Sequence, residues 1–208
     1  MTSSDARAAI RVAVLGLWVP SLLADVLALQ RAEEPETAIA LVQCTAAAPS
    51  GEATEGSFDF AVTTTDLSWP GWICEPLWQD TLGVAVAKRS HLLAHREVPC
   101  HEVRTQPIIC TPSTPEEPWQ AMAQRLIESA GCAHEETVAT FDMAMTLVAA
   151  GYGIAIAPAS RLASYQCRGV SMRPLAGAPP IVIAYLLRPV APLTEPQERF
   201  AQRARAVS

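Results

Sequence analysis

The first third of the chain alternates short β-branched apolar runs with helical patterning, and this alternation constrains the fold more than any other feature. Ile10–Leu15 (IRVAVL) has Arg11 as its one polar residue, which suits a strand buried on both faces of a parallel sheet. Ser21 stands at the N-cap position before a helix whose apolar face is Leu22, Leu23, Val26, Leu27 and Leu29, and Pro35 stops it. TAIALVQ (37–43) reads as a second strand and FDFAVT (58–63) as a third, with a weak helix expected between them over Ser50–Glu55. A β-α-β-α-β order of this kind folds as a parallel sheet with crossover helices.

A second set follows. LGVAVA (82–87), PIIC (107–110), ETVAT (136–140) and IAIAP (154–158) are expected strands, and helices are expected over Trp119–Gly131 and Phe141–Ala150. Phe141, Ala144, Met145 and Val148 share one face of the latter, and Thr140 caps it. SRLASY reads as a short helix, SMRPL as an edge strand and Glu195–Ala206 as the last helix. DLSWPGWICEP (66–76) and the stretch 88–106 read as irregular, and Glu116–Glu117 as solvated residues of a proline-rich loop. IVIAYLL (181–187) has no place in the second set, so it is expected to return and complete the first. The expected division is residues 10–80 plus 180–206 as one lobe, 81–179 as the other, and a disordered tail over 1–9. Ligands in open α/β sheets bind beyond the carboxyl ends of strands, which points to the loops after Leu15, Gln43, Val62 and Cys110.

The segment LVAAGYGIAIAPAS (147–160) holds a glycine pair that a dinucleotide site would also use. There the pair follows a strand and opens a helix; here the helix comes first, and position 156 is Ile. Gly151 therefore reads as the left-handed residue ending the helix, and Gly153 as a tight entry into the next strand.

A net charge of −6, with no basic run longer than Lys88–Arg89, argues against a large nucleic-acid-binding surface. Arg199, Arg203 and Arg205 read as a solvated helix face. The six scattered cysteines form no CxxC and read as reduced thiols of a cytoplasmic protein. VAVLGLWVPSLLA has the look of a signal-peptide core, but Asp5 precedes it, Pro20 interrupts it, and a strand entering a helix explains it. No apolar run reaches the length of a membrane span.

Catalytic patterns are missing from the sequence. His101–Glu102 and His134–Glu135 each begin an HExxH whose last position is Thr105 or Val138, and His91 and His95 read as a solvated loop. There is no GxSxG, P-loop or SxxK, so no catalytic residue, metal ligand or cofactor is assigned. The strand-end loops instead carry hydroxyls: Ser21 and Thr140 at helix starts, Thr45, Thr63, Thr64, Thr111, Ser113 and Thr114 at strand ends. Hydroxyls at helix N-termini favour anions, and without an activating base they bind rather than catalyse.

IRVAVLG, EEPETAIALV, EGSFDFAVTT, EPLWQDTLGVAVAKRSHLLA, LVAAGYGIAIAPAS and IVIAYLLR occur in the order of the effector-binding domain of LysR-type transcriptional regulators, which the chain resembles from Ile10 to Ala206. The resemblance implies an α/β, type 2 periplasmic-binding-protein-like fold: two Rossmann-like lobes joined by two crossover strands, with a cleft between them. It further implies a small-molecule effector, an organic anion among the candidates, and a homodimer. Effector contacts carried over residue by residue are Leu17, Trp18, Pro20, Ser21, Thr45, Thr63, Thr64, Thr111, Ser113 and Phe141. Such regulators carry a winged helix-turn-helix ahead of this domain. Only MTSSDARAA precedes the first strand here, so the expectation is an excised or stand-alone regulatory domain that does not bind DNA by that route. Trp18 is bulkier than the small residues common at its turn, and no arginine is clearly placed for a carboxylate effector. A solute-binding protein or an enzyme on the same scaffold are the alternatives.

Overall fold

The computed structural model of the protein describes residues 9–44, 58–114, 117–131 and 134–207. Thr45 and the helix expected over Ser50–Glu55 lie outside the described residues. The chain divides into two compact units, Met1–Trp78 with Ile183–Ser208, and Gln79–Val182.

The first unit is built on a sheet in the order β2 (Ile39–Cys44), β1 (Ile10–Leu15), β3 (Phe60–Thr63), β9 (Ile181–Pro189). β1 pairs parallel with both β2 and β3, while β9 runs antiparallel to β3, so the late strand does complete the first set. The two-residue period of the strands sorts their side chains into two cores. Ile10, Val12, Val14, Phe60, Val62, Ala184 and Leu186 point to the face covered by α1 (Leu22–Glu33) and α6 (Glu195–Ala206). Ala13, Leu15, Ala61 and Leu187 point to the other face, against Phe58, Trp69 and Trp72. Phe60 and Phe200 meet at a centroid distance of 5.1 Å in the first core.

Two expectations about the helices of this unit need correcting. Arg199 and Arg203 are not a solvated face: both bond the buried Glu34 beyond the end of α1, and Arg203 also reaches Glu33 and Gln30 at 2.6 and 2.7 Å. Arg205 pairs with Glu75 at 2.8 Å. Ser21 has helical backbone angles and makes no side-chain cap hydrogen bond, because the turn has already begun with Leu23 N–H donating to the Pro20 carbonyl.

The core strand of the second unit is the later part of β4 (Trp72–Ala87), a strand that starts within the first unit and begins ten residues earlier than expected. The Trp-Pro-Gly signal at 69–71 marks the turn before it, where Gly71 takes a φ of +79°. Within Gln79–Val182, β4 pairs antiparallel with β7 (Ala155–Pro158) and β8 (Val170–Pro174). β5 (Ile108–Cys110) pairs parallel with β6 (Glu135–Thr137), and bonds between Ile109 N–H and the Ile154 carbonyl tie β5 toward β7. The stretch 88–106 holds a 3-10 turn at His91–Ala94 and the short helix α2 (Cys100–Arg104). α3 (Pro118–Ala130) ends at Gly131 with φ +70°, and α4 (Phe141–Ala150) ends at Gly151 with φ +87°, both as the sequence predicts. Thr140 Oγ1 accepts from Met143 N–H at 3.2 Å, the expected cap. A Cβ on Gly153 would lie 2.4 Å from the Pro107 carbonyl oxygen, so this glycine permits a backbone crossing. α5 (Ala159–Ala163) follows β7 directly.

Candidate functional site

Parallel pairing brings strand ends to a common edge. In the first unit Leu15 is in register with Thr63 on one side and Cys44 on the other, so β1, β2 and β3 end at one edge of the sheet. Leu17, Trp18, Pro20 and Ser21 follow the end of β1, and Thr63 and Thr64 lie at the end of β3. Leu17 is 60% exposed, Trp18 is half-buried, and Pro20 is buried. Gln43 donates to the Gly16 carbonyl at 3.1 Å and fixes the start of the loop. Thr63 is buried, and its Oγ1 accepts from Thr65 N–H at 3.1 Å, so its hydroxyl shapes the turn. Tyr185 on β9 stands opposite Thr63, and burial pushes its phenol above the ordinary range. Sequence patterning hides Tyr185, since it reads as one more residue of an apolar strand.

In the second unit β5 and β6 end together, Cys110 opposite Thr137, and the chain continues there into Thr111–Thr114 and into the start of α4. Gln120 on α3 organises this end. Its amide donates to Thr111 Oγ1 at 3.0 Å and to the Glu117 carboxylate at 3.0 Å, while its oxygen accepts from Thr114 N–H at 2.8 Å. Ser113 is exposed. Phe141 sits edge-on to Trp119 and Tyr165, at centroid distances of 6.1 and 5.4 Å.

Glu117 overturns its reading as a solvated loop residue. It is 3% exposed and accepts a 2.6 Å bond from Arg161, itself 9% exposed. The Arg161 guanidinium lies 3.9 Å from the centre of the Phe141 ring and 5.4 Å from that of Trp119. A planar, weakly hydrated cation suits such a site better than lysine would. Arg161, Glu117, Gln120 and Trp119 are the residues that sequence reasoning missed. The one signal was SRLASY, where an arginine interrupts a short apolar helix.

Among the described residues, three buried side-chain polar atoms have no hydrogen-bond partner: Gln30 Nε2, Thr114 Oγ1 and Trp119 Nε1. Two of the three flank the start of α3, Thr114 in the segment before it and Trp119 in its first turn. An unsatisfied buried polar group costs about 1–3 kcal/mol.

His91, His95 and His101 stand 3.6–3.9 Å from the Glu102 carboxylate, and no group of His, Cys, Asp and Glu among the described residues is arranged to hold a metal ion. Among the described residues no helix is long and apolar enough to cross a membrane.

Strand ends bearing hydroxyls and aromatic rings, on an α/β framework in two units, are those of a ligand-binding protein, and comparison with solved structures gives the fold as type 2 periplasmic-binding-protein-like. The chain belongs to the LysR substrate binding domain family, whose match spans residues 3–208. The BenM effector binding domain with its effector benzoate is similar at 23% identity and a TM-score of 0.79, over 96% of this chain and 91% of that one. A reduced form of OxyR from N. meningitidis matches at 16% identity and 0.75, over 96% and 95%. CbnR, a LysR family transcriptional regulator, matches at 18% and 0.76, over 94% and 68%. At these identities the likeness is one of fold. Comparison with curated protein sequences found no match. Family and fold together make the chain a small-molecule-sensing regulatory domain.

Proposed function

We propose that the chain senses a small, mostly apolar organic acid, and acts by binding it without turnover. The effector contacts are Leu17, Trp18, Pro20, Ser21, Thr45, Thr63 and Thr64 from the first set of loops and Thr111, Ser113 and Phe141 from the second. The observation that carries this reading is the pair of unpartnered atoms, Thr114 Oγ1 and Trp119 Nε1, the first in the segment that Gln120 ties to Thr111 and the second on the ring that meets Phe141. Both can donate to an oxygen acceptor. Arg161 is already neutralised by Glu117, so recognition falls to neutral donors and aromatic faces. Benzoate, the effector in the similar BenM structure, has this chemistry and is the first compound to test. Saturable thermal stabilisation by an aromatic carboxylate, lost in Trp18→Ala and in Phe141→Ala, is the expected outcome.

The proposed assembly is a cytoplasmic homodimer, with DNA reached through a helix-turn-helix domain outside this chain. Among the described residues β2 is the edge strand of its sheet and exposes Leu41 (52%) on one face and Val42 (37%) on the other, an apolar edge that a partner copy would cover. Sedimentation of Leu41→Lys should show a monomer where the parent is dimeric. Equal masses for the two would remove this edge from the interface.

A further inference from the structure

The only lysine of the chain, Lys88, and its neighbour Arg89 follow the end of β4 and line a concavity of about 780 Å³ that belongs entirely to the second unit. A space of this size suits a small molecule. Ser90, His91, Gln106 and Tyr152 contribute to its wall, as do Gly151 and Gly153. The lining contains three basic side chains and no carboxylate, in a chain where acids outnumber Lys and Arg by 21 to 15.

Six arginines are held by carboxylates, whereas Lys88 and Arg89, like Arg11, Arg31, Arg96, Arg104, Arg125 and Arg173, have none within 4.0 Å among the described residues. His91 is less free, with Nε2 3.9 Å from Glu102 Oε2. The turn that carries the two cations is fixed: Lys88 N–H donates to the Gly169 carbonyl at 3.1 Å and Ser90 N–H to the Ala87 carbonyl at 2.9 Å. Ser90 Oγ accepts from Leu92 N–H at 3.2 Å, which leaves its own proton available to a ligand. Gly151, with a left-handed backbone, and Gly153, packed on the Pro107 carbonyl, add side-chain-free backbone to the wall.

We propose that this concavity binds a small multivalent oxyanion, of the phosphate or pyrophosphate class, as a second ligand of the protein. Two adjacent cations neutralise its charge, and the Ser90 hydroxyl, Gln106 amide and Tyr152 hydroxyl donate to its remaining oxygens. The site is separate from the strand-end residues assigned to the effector and does not depend on that assignment.

The test is a titration of the 208-residue chain with pyrophosphate at constant ionic strength, read by amide chemical shifts. Saturable shifts are expected at Lys88–His91, Gln106 and Tyr152–Gly153. Lys88→Gln with Arg89→Gln should weaken binding by at least about tenfold, while Tyr152→Phe weakens it less. Arg31→Gln, on the other unit, should leave the affinity unchanged. Both cations are exposed, so an unchanged melting temperature confirms that the variants are folded. The proposal is overturned if the shifts do not saturate, if sodium chloride reproduces them, if the double variant binds equally well, or if an acidic peptide binds there and pyrophosphate does not.

Discussion

Arg161 shows how much one side chain can organise. It neutralises the buried Glu117, stacks on Phe141, and through Glu117 connects to the Gln120 bonds that hold Thr111 and Thr114. Replacing it with Leu leaves a buried carboxylate without its cation, and urea denaturation should show a loss of about 3–5 kcal/mol. Arg161→Lys should recover part of that loss, because the charge returns without the planar stacking. The glycine pair separates two further effects. Gly153→Ala forces a Cβ against the Pro107 carbonyl and should cost about 1–3 kcal/mol. In Gly151→Val the added Cβ meets no atom within 4 Å but the residue must hold a φ of +87°, so a cost of about 1–2 kcal/mol is expected from backbone strain. Both should lower the melting temperature before they touch effector affinity. Gly151 was legible because its place follows from local rules about helix ends. Arg161 was not, since its partners come from α3 and α4 and nothing in SRLASY names them.

At the scale of elements, the ion cluster between α1 and α6 has a definite pH signature. The Arg199 and Arg203 guanidinium groups, by hydrogen bonds that outweigh the opposing effect of burial, bring the Glu34 carboxyl from its ordinary 4.5 down to about 2. Between these values the unfolded chain binds the proton that the folded chain refuses, so folding stability rises with pH across the window. The contribution is complete above about pH 4.5 and is lost as pH falls toward 2. Glu34→Gln should therefore lower stability at pH 7 by about 1.5–3 kcal/mol and flatten the acid limb of the stability curve. An unchanged acid limb would show that the cluster does not couple to folding. Elements with a strong local pattern were readable in the sequence: β1 and β3 because burial on both faces leaves few polar positions, and α4 because its buried Ala144, Met145 and Val148 recur at helical spacing. β4 was misjudged at its start, where Trp69-Pro70-Gly71 looks irregular for good reason but Trp72–Asp80 continues as strand with half-buried residues on both faces. α6 was misjudged for a different cause: a helix with alternating charges looks the same in sequence whether it faces water or Glu33, Glu34 and Glu75.

For the whole molecule, the order of elements carried the family and the fold, which a match over residues 3–208 and neighbours at TM-scores of 0.75–0.79 bear out. The structure sorts the carried-over residues by strand edge: Leu17, Trp18, Pro20, Ser21, Thr63 and Thr64 in one unit, Thr111, Ser113 and Phe141 in the other. It also assigns several of their hydroxyls to turns and networks, which moves the interest toward Trp18, Phe141 and the unpartnered Trp119 and Thr114. The central claim is that these strand-end loops recognise a small aromatic carboxylate. It is tested most directly by thermal unfolding against a panel of aromatic and aliphatic carboxylates, amides and amines. The account predicts concentration-dependent stabilisation by at least one aromatic carboxylate, following RT ln(1 + [L]/Kd), and its loss in both Trp18→Ala and Phe141→Ala. Stabilisation that survives both substitutions, or that comes from amines and not from carboxylates, would contradict it.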